Sequence, residues 1–372
     1  MVASFVMNMN LSDGNPRPRV RWKLWFGLGG VLLGLGLVYS VLWLVIANLA
    51  MNYLNLWAED QRQSGYAVRW DSAEISGYPF RIIATLDKPL IDGPAHGATH
   101  RWAWAVDVIT LSGKPWSWNT LHLNMPGHHT LIVSGAATET TQTITFDAES
   151  LSVDTEFQGD RWRHVTASGS DIRIQQDGRL VLELARFSSV LNRDHTPPAH
   201  DVDEQTRTGA LHLSLNDLAI SVLGDQLVRV AGSIVRYASL NVEAYGPLPD
   251  GPSPSSLALW RDAGGVVEVR QVRADYGPLS LDAEGALALD GRLQPVGSFV
   301  ARVQGFSETV DALYGAGMIT DGDVLTAKLV LGALAKKDAI TGKSHLSIPV
   351  NIQDRTIFAG PLTLVKLPPI RW

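Results

Sequence analysis

The sequence predicts a mainly β protein: one N-terminal transmembrane helix, then an extended antiparallel β-meander with a short helical pair near the C-terminus. Three observations predict this class. An uncharged apolar run lies near the start, alternating apolar and polar residues recur through most of the chain, and helical spacing returns only around residues 307–335. Alternation with a period of two is typical of strands that bury one face, and short turns between such strands favour an antiparallel sheet.

The apolar run covers residues 24–46, and no charged residue or histidine occurs from Leu24 to Ala58. At 1.5 Å per residue it would form about 34 Å of helix, enough to cross a hydrocarbon core of about 30 Å. Four cations precede it: Arg17, Arg19, Arg21 and Lys23. Cations on one side only predict a cytoplasmic basic tail over residues 1–23, an anchor in the inner membrane and a periplasmic bulk.

A cleaved secretory signal is the alternative to an anchor, since Val45-Ile46-Ala47 could form a cleavage site. The run is longer than the usual 7–15 or so residues of a signal, and it carries aromatic residues near its ends. Gly30 and Gly34 form a GxxxG pair that could bring two membrane helices together. The alternative for these glycines is that glycine is frequent in membrane helices.

The remaining chain predicts strands and turns. Ile172 and Ile174 alternate with polar residues before Asp177-Gly178, and leucines alternate after it, which indicates a β-hairpin. Similar alternation occurs at residues 211–215, 279–289, 299–303 and 346–352. The segment Gly246–Ser256 is rich in Pro, Gly and Ser, so it is either a linker between two β-rich parts, 47–245 and 257–372, or one loop.

The late helical segment consists of two predicted helices. Phe306, Val310 and Leu313 keep helical spacing after Ser307, which we expect to be the N-cap. Asp321 is the expected cap of the second helix. Such a pair could cover one end of a sheet and shield an edge.

Composition excludes several classes of protein. The 372 residues carry a net charge of −6, so no concentrated basic surface for nucleic acid is expected. There is no cysteine, which excludes disulfides, thiolate metal sites and cysteine nucleophiles. No P-loop, GxSxG, HExxH or dinucleotide motif occurs, and we expect neither a cofactor nor an enzymatic activity.

Two histidine clusters are the candidates for metal chemistry. His195 and His200 lie with Asp201, Asp203 and Glu204 in a loop that contains two prolines; the alternative to a metal site is a solvated acidic loop. His122, His128 and His129 form the second cluster. We expect a structural role there, with His122 outward on a strand and the other two in a turn.

Tryptophans are frequent, twelve in all, and four of them are close together. Trp102 and Trp104 are two residues apart, as are Trp116 and Trp118, so each pair shares one strand face. They could fill a core, line an apolar groove or lie at a membrane surface.

The segment Gly77-Tyr78-Pro79-Phe80-Arg81 resembles the Gly-aromatic-Pro-Phe-Arg motif of an uncharacterised family of bacterial envelope proteins with one N-terminal membrane helix. Gly77 permits an unusual backbone angle, and Pro79 fixes its own φ. We expect Phe80 to pack inward and Arg81 to face outward, in a mainly structural role.

The C-terminal stretch, residues 346–369, is similar to the same family's closing pattern. Gly360-Pro361 and Leu367-Pro368-Pro369 match it, while Arg355 stands at a turn position where glycine is usual. More distantly, the layout resembles the AsmA-like group of envelope proteins, which have a membrane anchor and extended β-rich bodies, some of them implicated in lipid transport.

These observations lead to three functional hypotheses. The first is a non-enzymatic membrane-anchored periplasmic protein that binds or guides a lipid or another apolar envelope component along a one-faced sheet. The second is an anchored protein that binds envelope protein partners. The third is a periplasmic metal-dependent hydrolase that uses scattered His, Asp and Glu residues.

Overall fold

The computed structural model describes residues 22–93, 100–135, 141–159, 161–194, 206–221, 225–247, 253–337, 342 and 344–370. The chain divides into two compact units between Leu49 and Ala50. The arginines of the N-terminal tail and the histidine loop of residues 195–205 lie outside the described residues.

The first helix, α1, spans Trp22–Gln63 and is the one helix in the described part of the chain that is long and apolar enough to cross a membrane. Its 42 residues correspond to about 63 Å, twice the thickness of a hydrocarbon core. The predicted anchor, residues 24–46, is therefore the first half of a longer helix. The side chains of this half that are described are mostly exposed, Leu33 and Leu37 among them.

The second unit is built mainly from antiparallel strands. The first ten are β1 (Ala67–Arg69), β2 (Ser72–Ser76), β3 (Ile82–Asp87), β4 (Leu90–Asp92), β5 (His100–Val106), β6 (Val108–Lys114), β7 (Ser117–Asn124), β8 (Gly127–Gly135), β9 (Thr141–Ala148) and β10 (Ser150–Gln158). The next seven are β11 (Arg161–Gln176), β12 (Arg179–Arg193), β13 (Arg207–Ile220), β14 (Ile234–Tyr245), β15 (Val266–Tyr276), β16 (Leu279–Leu289) and β17 (Pro295–Gln304). The last four are β18 (Lys336–Lys337), β19 (Ser344–Gln353), β20 (Thr356–Ala359) and β21 (Leu362–Lys366).

From β11 onward the sheet is the predicted meander. Each strand pairs with its successor from β11 to β17, β17 pairs with β19, and β20 and β21 complete the series. The Asp177-Gly178 hairpin is confirmed, with φ of +48° and +76° at the two residues. Positive φ at both central residues is the geometry whose twist suits a two-residue hairpin.

On its other side β11 carries a fork that the sequence did not reveal. Residues 161–170 of β11 pair with β10, and residues 173–176 pair with β9. One branch continues from β10 through β7, β6 and β3 to β2. The other continues from β9 through β8, β5 and β4 to β1.

A compact core joins the two branches. Leu86 and Ile109 of one branch and Val106 of the other are buried together, and Trp104 and Leu54 of α1 pack against them. A second core cluster, Ala148, Ile172 and Leu184, lies where β9, β11 and β12 meet. Both core clusters thus lie at the fork, where a second layer covers the sheet.

Four shorter helices interrupt the strands: α2 (Asp225–Ala231), α3 (Pro254–Asp262), α4 (Phe306–Gly315) and α5 (Asp321–Leu334). The late helical pair is confirmed, but both predicted caps are wrong. The N-cap of α4 is Gly305, and the N-cap of α5 is Thr320, whose side chain and backbone form a capping box with Asp323. Ser307 and Asp321 have the right chemistry, but they lie two residues and one residue beyond the respective capping positions.

The segment predicted as a loop or linker, residues 246–256, contains residues outside the described part. Its last residues belong to α3, which has Ser253 as N-cap. The strands on either side of it, β14 and β15, pair directly, with Tyr245 opposite Val266.

Candidate functional site

The most extensive chemical feature of the sheet is a face on which apolar residues stand directly opposite one another from strand to strand. One row crosses nine strands and has Ser189 as its one polar member: Val153, Ala167, Ser189, Leu213, Leu240, Val272, Ala283, Ala301 and Ile348. Eight steps of about 4.8 Å make this row about 38 Å long. A row of this kind requires every strand to keep its register, because a slip by one residue would replace it with polar residues.

Two further rows lie on either side of the first and share its face. One consists of Val165, Leu191, Leu211, Val242, Val269, Gly285, Phe299, Val350 and Ala359. The other consists of Gly169, Phe187, Leu215, Ala238, Ala274, Leu281, Val303 and Leu346. No residue in the three rows is charged. We call these three rows the apolar face.

The opposite surface of the same strands, the polar face, has a different chemistry. Its central row consists of Ser152, Ser168, Ser188, Ser214, Ser239, Arg273, Asp282, Arg302 and Ser347. Ser188 and Ser214 hydrogen-bond at 2.8 Å, and Arg302 donates to Glu284 at 2.7 Å. These side chains bind one another, as expected for a surface in contact with water.

The apolar face is only partly shielded from solvent. Leu213, Leu240 and Val242 are half-buried, although their strands lie in the middle of the meander. Five members of the three rows are buried: Gly169, Val269, Ala283, Ala301 and Leu346. Apolar side chains under a complete second layer would be buried throughout, so the apolar face of the meander is partly open to solvent.

At the fork the apolar surface passes into the closed core, and His129 lies at this transition. It is fully buried on β8 between Val106 and Phe146, and its ring stacks on Phe146 with centroids 4.0 Å apart. Its Nε2–H donates to the carbonyl of Met125 at 3.0 Å, while Nδ1 is buried without a partner. Burial lowers the pKa of His129 below its ordinary value. The expectation that His128 and His129 belong to a turn is wrong, because both lie on a strand.

A network of charges stabilises the polar face near one end of the strands. Glu243 accepts from Arg270 at 2.7 Å and from Arg207 at 3.1 Å. Arg207 also donates to Asp194 at 2.8 Å, and Tyr245 donates its hydroxyl hydrogen to Glu243 at 3.1 Å. The hydrogen bond from Arg270 is the main reason that the pKa of Glu243 lies below its ordinary value. These residues therefore form ion pairs and hydrogen bonds with one another at the sheet surface.

The motif residues Gly77, Pro79, Phe80 and Arg81 form a tight turn between β2 and β3. The amide of Arg81 donates to the carbonyl of Gly77 at 2.9 Å, and φ at Gly77 is +98°. A Cβ on Gly77 would lie 2.7 Å from the Arg81 carbonyl oxygen, so this position requires glycine. Arg81 is exposed as expected, but the inward packing predicted for Phe80 is wrong, since Phe80 is 69% exposed.

The four clustered tryptophans have different environments. Trp104 packs in the core at the fork, and Trp102 is half-buried beside Tyr66, with ring centroids 6.3 Å apart. Trp116 and Trp118 are 60% and 68% exposed at the β6–β7 hairpin. One pair therefore contributes to the interior and the other lies at the surface.

The remaining positions singled out in the sequence form no binding or catalytic site in the described residues. A Cβ on Gly30 or Gly34 would meet no atom within 4 Å, so each has space for a close approach of another helix. His122 lies on β7 with its side chain 44% exposed and contacts Asp154 at 2.7 Å, as expected for an outward position. Within the described ranges no group of three or more His, Asp or Glu side chains could hold a metal ion.

The fold and the apolar face together define a class: a β-rich protein whose N-terminal helix is long and apolar enough to be a membrane anchor. The chain belongs to the family DUF2125, described as an uncharacterized protein conserved in bacteria, whose sequence model matches residues 43–368. Comparisons with curated proteins and with solved structures found no match.

Proposed function

We propose that this protein is anchored in the inner membrane, exposes its sheet to the periplasm, and binds the acyl chains of lipids non-enzymatically along the apolar face. The observation that supports this proposal most strongly is the uncharged row of residues that crosses nine strands, about 38 Å long and partly open. Acyl chains need an apolar surface of this kind and few polar partners. The length of the row would let an acyl chain move from strand to strand with little change in its surroundings.

A membrane anchor would support the proposal, because it would keep the chain at a membrane, which is a source of lipid. α1 is long and apolar enough to span a membrane, and the cations of residues 17–23 precede it. By the positive-inside rule these cations stay in the cytoplasm, and the second unit then lies in the periplasm.

Two adjacent residues of β14 provide the test. Leu240 is at the centre of the apolar face, whereas Asn241 is exposed on the polar face. An Asp at position 240 would place a carboxylate among acyl chains, where it loses its hydration without a partner. We expect Leu240→Asp to lower the phospholipid that co-purifies with the full chain several-fold, as measured by mass spectrometry, and Asn241→Asp to leave it unchanged.

Lipid around α1 is the same in both variants, so the difference between them reports on the sheet alone. Circular dichroism and gel filtration check that both variants fold. Equal lipid content in folded Leu240→Asp, Asn241→Asp and the parent chain would contradict the proposal.

A second candidate function, an anchored protein that binds an envelope protein partner, is favoured by α5. Leu325, Leu329 and Leu334 are each about two-thirds exposed on this helix. Exposed leucines on one helix are typical of a protein interface. A photo-crosslinking residue in place of Leu329 in whole cells would give a protein adduct under this hypothesis, and its absence would remove the hypothesis.

A further inference from the structure

Two turns of the sheet that carry aromatic residues lie side by side. The turn of residues 77–81 leads into β3, and the β6–β7 hairpin turns between Lys114 and Ser117. Ile82 of β3 stands opposite Gly113 of β6, so the turns are neighbours at the same end of paired strands, about 4.8 Å apart at their bases. We call residues 77–81 and 114–118 together the aromatic tip.

Four large aromatic side chains of the aromatic tip are exposed. The exposed fractions are 55% for Tyr78, 69% for Phe80, 60% for Trp116 and 68% for Trp118. Burying aromatic side chains of this size stabilises a protein by about 2 kcal/mol or more each, so four of them together in water indicate a surface that is covered in use.

The charges of the aromatic tip identify what covers it. Arg81 and Lys114 are exposed within it, and its ten residues include no Asp or Glu. Tyrosine and tryptophan prefer the level of the headgroups in a bilayer, where the ring meets acyl chains and the polar atom meets water. Arg and Lys extend their cations to lipid phosphates from the same level.

We infer that the aromatic tip is a membrane-docking surface that inserts into the headgroup region of a phospholipid bilayer. The inference depends on α1 as an anchor, which would keep the chain at a bilayer, and it does not depend on lipid binding by the apolar face. It gives the exposed Phe80 and the required Gly77 one explanation: the glycine permits the turn, and the turn presents the aromatic side chains.

The absence of cysteine from the chain permits a direct test in the full-length protein. Asn119→Cys lies next to the aromatic tip, and Asn241→Cys lies on the polar face of β14; both native residues are exposed. Each single cysteine is labelled with an environment-sensitive fluorophore, and the chain is reconstituted into vesicles of phosphatidylethanolamine and phosphatidylglycerol that include a lipid with a nitroxide near its headgroup. We expect several-fold stronger quenching at position 119 than at position 241.

A second variant distinguishes quenching that depends on the aromatic side chains from quenching that reflects only proximity to the bilayer. Trp116→Ser with Trp118→Ser, in the Asn119→Cys chain, should abolish the excess quenching while the unfolding midpoint stays unchanged. Equal quenching at positions 119 and 241, or full quenching after loss of both tryptophans, would overturn the inference. A tip that binds a protein instead would show no excess quenching at position 119 in these vesicles. The measurement of lipid bound to Leu240→Asp is independent of this experiment, so the two proposals can fail separately.

Discussion

At the scale of single residues, the sequence predicts chemistry well and side-chain direction less well. The hairpin at Asp177-Gly178 follows from two residue types that tolerate positive φ. Phe80 illustrates the limit, because an aromatic residue is ordinarily buried and only the geometry of its turn directs it to the surface. His129 is similar: its burial depends on the fork, which brings Val106 and Phe146 to its two sides and has no local signature in the sequence.

Arg355 supports a prediction about stability. It occupies the second position of the β19–β20 turn with φ of +60°, a region that an L-residue with a side chain adopts at a cost of about 1–2 kcal/mol. We expect Arg355→Gly to raise the free energy of unfolding by about 1 kcal/mol, as measured by urea unfolding in mild detergent. The reverse change in the matching turn, Gly178→Arg, should lower it by a similar amount, and no gain from Arg355→Gly would show that the turn is not strained.

His129 supports a prediction about pH. Burial lowers its pKa below 6.5, so the unfolded chain binds the proton first as the pH falls. The contribution of neutral His129 to the free energy of unfolding is therefore complete above about pH 6.5. It is lost progressively as the pH falls from there toward the pKa of His129 in the folded state. We therefore expect the unfolding midpoint of the full chain to decrease as the pH is lowered from neutral to roughly 5.5.

The matched variant is His129→Gln, which can still donate a hydrogen bond to Met125 but does not titrate. Its unfolding midpoint should be lower than that of the parent chain at neutral pH and depend less on pH over the same interval. An identical pH dependence in both proteins would show that His129 does not titrate as described.

At the scale of elements, long periodic segments are predictable and their ends are not. The long apolar N-terminal helix, the alternating strands and the late helical pair all follow from apolar spacing. The cap of α4 lies two residues before the predicted Ser307, and the cap of α5 lies one residue before the predicted Asp321. Several neighbouring residues at each helix start are acceptable caps, and only the backbone selects among them. The fork is not predictable from local sequence, since it depends on β11 pairing with two strands along one side.

The anchor itself can be tested with charges. Leu35 and Leu37 lie in the middle of the apolar run and are 61% and 67% exposed. Arginine at both positions should oppose insertion by about 3 kcal/mol each, so the double variant should leave the membrane fraction in large part, as measured by carbonate extraction. Arginine at Asn52 and Asn55, farther along the same helix, should leave membrane association unchanged; the same result from both pairs would contradict a span over residues 24–46.

At the scale of the whole molecule, the property that matters is the agreement of register across many strands. Each alternating segment predicts a strand with one apolar face, but no single segment shows that all these faces coincide. The structure places Leu213, Leu240 and Val272 in one row and leaves them half-buried. An open apolar surface therefore arises from the sum of pairings, and the proposed acyl-chain binding belongs to the sheet as a whole.

The most direct test of this claim compares two neighbouring residues of β13 in living cells. A photo-crosslinking residue replaces Leu213 on the apolar face in one strain and His212, exposed on the polar face, in another. After irradiation, mass spectrometry of the purified chain should detect phospholipid adducts at position 213 and none at position 212. Adducts at both positions alike, or at neither, would contradict the account.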